Sequence, residues 1–152
     1  MLTGMALFAL VHGSMHGAFC WRDLVPELER LGHRAVAPDL PWDDVGAGLS
    51  EYAAARVDER SDGARRMDAE SARQVCFAEL VPFAHWPEVP LDIILARDDR
   101  AVRFEWARAE ALRGLAGREP KVIPPGDHSP FLSRPALLAD TLVACLGGRL
   151  AD

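Results

Sequence analysis

The sequence predicts an α/β fold, a parallel sheet of about four strands flanked by helices, in a single domain over residues 1–152. Two observations predict it. Near the N-terminus an apolar run, a helical stripe and a short strand follow one another with short joints, the pattern of a right-handed βαβ unit. The last third of the chain then repeats strand, helix, strand and helix. Size agrees: 152 residues, 49% of them hydrophobic, can bury a core and exclude intrinsic disorder.

Met5 to Val11 is a continuous apolar run closed by His12 and Gly13, as expected of a strand buried on both faces. Trp21, Leu24, Val25, Leu28 and Leu31 then recur at helical spacing, so a helix is expected near 19–31, stopped by Gly32. Arg34 to Ala37 is the second strand, ended by Pro38. Leu91 to Ala96 is the third. Phe104, Ala107, Ala111, Leu112 and Leu115 mark a helix near 103–116, and residues 120–123 the fourth strand. Pro135 suits the first turn of a last helix near 134–146, with Ser133 as its cap and Gly147-Gly148 at its end. Leu138, Leu142, Cys145 and Leu146 form its expected buried face. Residues 43–89 break the rhythm: the segment is polar, with a weak helical pattern from Ala64 to Leu80, and reads as a surface segment or lid.

The charge balance narrows the function classes. Seventeen basic against 23 acidic side chains give a net charge of −6, with no electrostatic footprint for nucleic acid and no basic patch for a membrane surface. Cys20, Cys76 and Cys145 are scattered and form no CxxC pair, which points to a reducing cytoplasm. The N-terminal apolar run is too short to span a bilayer.

Chemistry-bearing residues cluster after three strands: His12-Gly13-Ser14, Asp98-Asp99, and Gly126-Asp127-His128-Ser129. Ligands of open parallel sheets bind beyond the carboxyl ends of the strands. A carboxylate and an imidazole meeting there form an acid–base pair, the acid fixing the tautomer of the base. The ordinary alternatives stay open at this level: Asp98 and Asp99 can cap the helix near Val102, and a histidine after a strand is most often a loop residue.

Several stretches carry a more specific signal. Leu10-Val-His-Gly-Ser-Met-His-Gly17, Gly32-His-Arg-Ala-Val-Ala-Pro-Asp-Leu-Pro41, Leu95-Ala-Arg-Asp-Asp-Arg-Ala-Val102 and Gly126-Asp-His-Ser-Pro-Phe131 resemble the α/β-hydrolase superfamily. The branch they resemble holds plant hydroxynitrile lyases, methyl-ester esterases and their bacterial relatives. The resemblance implies a truncated α/β-hydrolase-like fold, with residues 43–89 the remnant of the lid. It also implies hydrolysis of small carboxylic esters with Asp99 as the acid, His128 as the general base and the backbone N–H of Ser14 as an oxyanion donor. Asp98 is the rival for the acid; Asp99 fits the family spacing better.

The departure from the family concerns the nucleophile. Its serine belongs on a strand–turn–helix elbow, Gly-x-Ser-x-Gly, and that motif does not occur here. Ser14 lies in the oxyanion loop, Ser50, Ser61 and Ser71 in polar contexts, and Ser129 and Ser133 after the histidine. Cys76 has no flanking glycine. No nucleophile is therefore assigned, and two central strands of the family sheet are missing from the pattern. Weak or absent hydrolysis is expected. The alternative is a non-catalytic small-molecule-binding module, and a homo-oligomer covering open sheet edges is a further expectation. His12 and His16, with His33, Asp39 or Asp127, form a poor metal set because His12 stands in a turn. No metal, cofactor or nucleotide is expected, since no Gly-rich phosphate loop occurs. The tryptophans, Trp21, Trp42, Trp86 and Trp106, are expected in the core or lining a pocket.

Overall fold

A computed structural model of the chain describes residues 4–13, 16–41, 44, 46–47, 50–51 and 89–147. The polar segment 43–89, with its helical pattern, Cys76 and Trp86, lies almost wholly outside the described residues, as do Trp42 and Ser14. The chain divides into two compact units, Met5–Pro82 and Met1–Gly4 with Phe83–Asp152.

In the first unit, β1 (Leu7–Ala9) pairs in parallel with β2 (Arg34–Val36), in the register Leu7↔Arg34, Phe8↔Ala35, Ala9↔Val36. Two further rungs lengthen the ladder: Arg34 N–H donates to Ala6 O at 2.9 Å and Leu10 N–H to Val36 O at 2.8 Å. Between the strands run a 3-10 turn (Ala18–Trp21) and α1 (Leu24–Arg30). The single helix expected at 19–31 is thus broken, and Pro26 supplies the reason. Inside a continuous helix its ring would meet the carbonyl of Arg22 and remove a hydrogen bond. In a helix starting at Leu24 it falls in the first turn, where no donor is needed. Leu24 and Leu28, both at 0% exposure, are the buried side of α1, which packs on β2. The stop at Gly32 is a two-bond Schellman cap: Gly32 (φ +85°) N–H donates to Glu29 O and His33 N–H to Leu28 O.

The apolar run before His12 is not buried on both faces. Met5, Leu7 and Val11 are 67%, 58% and 56% exposed. One crossover helix covers one face of a strand pair, and alternate side chains point to the other. Buried polar groups brace the unit instead. His33, 7% exposed, accepts the Ala6 N–H on Nδ1 at 3.2 Å and meets the Phe8 ring edge-on.

The second unit holds β3 (Ile94–Ala96) parallel to β4 (Lys121–Ile123), in the register Ile94↔Lys121, Leu95↔Val122, Ala96↔Ile123. Helix α2 (Phe104–Gly114) joins them and packs on β3. A single turn, α3 (Pro130–Ser133), leads into α4 (Pro135–Cys145), which packs on β4. Ala111, Leu115, Ile123, Leu138 and Ala139 are its buried apolar residues. Four strands, all parallel, are therefore present among the described residues, and each pairs within its own unit.

Three expectations fail here. Ser133 does not cap α4; no side-chain cap is present there, and its hydroxyl donates to Asp127 Oδ1 at 2.8 Å. Trp106 is 57% exposed rather than core, because α2 turns its Ala111 and Leu115 stripe inward. Leu142, Cys145 and Leu146 are only half-buried, leaving Leu138 and Ala139 as the buried face of α4.

Helix α2 ends on a residue of the wrong type. Gly117 N–H closes the Schellman bond to Leu112 O at 2.8 Å, which puts Ala116 in the left-handed position at φ +51°. Glycine there removes a penalty of about 1 kcal/mol and adds about 0.5 kcal/mol of unfolded-chain entropy. Ala116→Gly is expected to stabilise the chain by about 0.5 kcal/mol, read as a higher urea midpoint at unchanged slope.

Candidate active site

Past their last paired residues, β3 and β4 continue into two loops that stay together. Arg97 N–H donates to Ile123 O at 3.1 Å, one rung beyond the strands. Pro124 and Pro125, joined by a cis peptide bond, then offer no N–H at all. The next donor is the buried Gly126, whose N–H goes to Asp98 Oδ2 at 3.1 Å while Asp98 N–H returns to Gly126 O at 2.8 Å. One residue further along the acid loop and two along the histidine loop, His128 Nδ1 stands 2.9 Å from Asp99 Oδ2.

Asp99 is held from two directions. Its Oδ1 accepts the N–H groups of Ala101 and Val102 at 2.7 and 2.9 Å, in the turn before α2; the helix itself begins at Phe104 with no side-chain cap, so neither Asp98 nor Asp99 caps it. Its Oδ2 is left for the imidazole. Burial pushes the Asp99 carboxyl up, but the hydrogen bonds from His128, Val102 and Ala101 outweigh it and hold the group below its ordinary value of 3.8. A carboxylate can only accept, so His128 carries its proton on Nδ1 and leaves Nε2 as a proton acceptor. That is the tautomer a general base needs. The His128 side chain is 56% exposed and the Asp99 side chain 15%. An exposed pair of this kind contributes about 0–1 kcal/mol, too little to fix two loops by itself.

The loop around His128 is fixed by its neighbours. Asp127 Oδ1 accepts Ser129 N–H at 2.9 Å and the Ser133 hydroxyl at 2.8 Å. Asp98, Pro125, Gly126, Asp127, Ser133 and Arg134 enclose an open cleft of about 380 Å³ behind these bonds. No Ser or Cys among the described residues bonds to His128. Ser50 is exposed and its hydroxyl donates to Glu51. Cys20 is 1% exposed, and burial, with the Asp39 charge adding, pushes its thiol up to about 11, so it stays protonated and unreactive.

In the other unit, the residues around the predicted oxyanion loop are braced on both sides of Ser14. His12, 4% exposed, donates from Nδ1 to Gly13 O at 2.9 Å and accepts Leu40 N–H on Nε2 at 3.0 Å. Asp39 Oδ1 accepts Ala18 N–H at 2.7 Å. Both ring nitrogens of His12 are therefore engaged with the backbone. This bracing role of His12 and Asp39, like the clamp made by Asp98, was not anticipated. The signal for the clamp was the Pro124-Pro125 pair, which obliges the Gly126 N–H to find an acceptor off the ladder.

Comparison with known proteins now assigns the family. The family model for the alpha/beta hydrolase family matches residues 43–141, more than half of the chain. The chain belongs to the alpha/beta hydrolase family. It is similar to Methylesterase 1 of Arabidopsis thaliana, 61% identical over 33 residues that make up 22% of this chain and 12% of the relative. Norfluorocurarine synthase 1 of a Strychnos species is 48% identical over 52 residues, 34% of this chain and 17% of the relative. A carbendazim hydrolyzing esterase of a Nocardioides species is 50% identical over 34 residues, 22% and 14% of the two chains. These matches thus span only 12–17% of the relatives' own length. No solved structure matches the chain. No helix among the described residues is long and apolar enough to cross a membrane.

Two outcomes follow from this geometry. Because the folded-state value of Asp99 lies below 3.8, the unfolded chain binds more protons near pH 4. The stability Asp99 contributes is present above that pH and is lost as pH falls through the folded value. Carbon NMR of the Asp99 carboxyl should give a midpoint below 3.8, and His128→Ala should raise it. Gly126→Ala would place a Cβ 2.9 Å from Ile123 O and 3.0 Å from its Cγ2. Denaturation of that variant should show a loss of about 1–3 kcal/mol.

Proposed function

We propose that the chain is an esterase-like member of its family with weak or absent hydrolysis of small carboxylic esters: a shortened, bacterial, cytoplasmic pseudoenzyme. The observation that carries this reading is the 2.9 Å contact of His128 Nδ1 with Asp99, which leaves Nε2 as a proton acceptor. A base so held can activate water or a hydroxyl, and names such as methylesterase among the relatives fit that chemistry. The proposed ligand is a small ester or apolar molecule, bound without metal or cofactor, and a second copy of the chain is the proposed partner.

Impairment follows from the missing Gly-x-Ser-x-Gly elbow. The elbow supplies the attacking oxygen and, through the next residue, the second oxyanion N–H. Losing one such donor alone costs about 10²–10³ in rate. The same absence favours a second reading, a binding module that keeps the rim of the pocket without the chemistry.

Labelling with a fluorophosphonate probe separates an enzyme from a remnant. No labelling is expected, and Ser14→Ala should leave any residual ester hydrolysis unchanged, because only the backbone of Ser14 is implicated. Stoichiometric labelling abolished by Ser14→Ala overturns the proposal and makes Ser14 a displaced nucleophile. Ligand binding without hydrolysis favours the binding module.

A further inference from the structure

We propose that Asp98, the rejected rival for the acid, is the positioning residue of the His128–Asp99 pair: its carboxylate replaces the ladder hydrogen bond that Pro125 cannot make. The functional meaning of this role rests on the esterase-like reading above, while the role itself stands on geometry.

Three cross-links follow in order from the end of the strands. Arg97 bonds to Ile123, Asp98 to Gly126, and Asp99 to His128. The first is ordinary sheet ladder. The second should be ladder too, but its donor falls at Pro125, which has no N–H. The chain closes the gap with one backbone and one side-chain bond, both from Asp98, so that the two loops still run together where the ladder would have ended. The third link depends on the second, since an exposed carboxylate–imidazole pair does not hold two loops in place.

The bond joins an exposed acceptor to a buried donor. Asp98 is exposed, yet its Oδ2 turns back to the N–H of buried Gly126 rather than to water alone. A Cβ at Gly126 would stand 2.9 Å from Ile123 O, so the loop packs tightly on Ile123 there and a small shift carries to His128 two residues on. On the far side Asp127 ties the loop to Ser129 and Ser133. His128 therefore stands between two anchors, and the upstream one is Asp98.

The test uses the full chain with Asp98→Ala and Asp98→Asn, read by the proton resonance of His128 Nδ1–H and by the carboxyl titration of Asp99. The asparagine keeps an oxygen acceptor and removes the charge. The expected result is that alanine loses the resonance and moves the Asp99 midpoint up toward 3.8, while asparagine keeps both. Amide signals of Arg97 and Lys121 report whether β3 and β4 remain paired. An alanine variant with paired strands and an unchanged resonance overturns the proposal. So does an asparagine variant that behaves as alanine does, since the charge and not the hydrogen bond would then be responsible.

If Asp98→Ala does not fold, asparagine and the unaltered chain decide. The Gly126 amide must then exchange at least about tenfold more slowly than that of Asp127, whose N–H has no partner among the described residues. Equal exchange overturns the proposal. Fluorophosphonate labelling tests the esterase-like reading separately, because it reports an activated serine whatever Asp98 does.

Discussion

The alignment of β3 on β4 is the constraint on which the candidate site depends. Each strand is three residues long, and the pairing Ala96↔Ile123 places the acid loop beside the histidine loop. A slip of one residue would shift every downstream partner by about 3.3 Å and turn the strand's side chains to the opposite face. A contact of 2.9 Å between His128 and Asp99 does not survive such a move. The rungs from Lys121 to Ile93 and from Arg97 to Ile123 hold the register, and Ile123, 1% exposed, fixes it from the core.

Within that frame the work is divided between three aspartates of one small region. Asp99 has one oxygen on the turn before α2 and the other on the imidazole. Asp98 joins the two loops, and Asp127 ties the histidine loop to the turn that follows. Each carboxylate satisfies backbone N–H groups that no strand or helix claims. Only Asp99 has an oxygen directed at His128.

The order of strands and helices was legible in the sequence because period and punctuation agreed. Gly32 marks the end of α1 and adopts the positive φ that a Schellman cap requires. Pro26 is equally informative: its ring sets the start of α1 and divides the helical stripe. The exposure of Met5, Leu7 and Val11 was not legible, because an apolar run shows that burial is possible without showing how many helices cover the strand. In the site, residue types and strand ends suggested an acid and a base, and the family resemblance separated Asp99 from Asp98. The clamp is not legible in the sequence because a side chain there takes the place of a backbone partner, and such substitutions have no periodic trace. Ser14 lies outside the described residues, so the expected oxyanion donor stands on resemblance alone.

The acid–base pair is built wholly from the stretch between β3 and α4, by the same bonds that close that half of the chain. None of those bonds calls on an elbow or on a lid. Natural selection acting only to keep this half folded would therefore preserve the loop clamp and the turn-bound oxygen of Asp99, leaving the histidine in register beside them. The base would stay in place whether or not anything drew on it, and a single serine arriving within reach of Nε2 would find it already oriented.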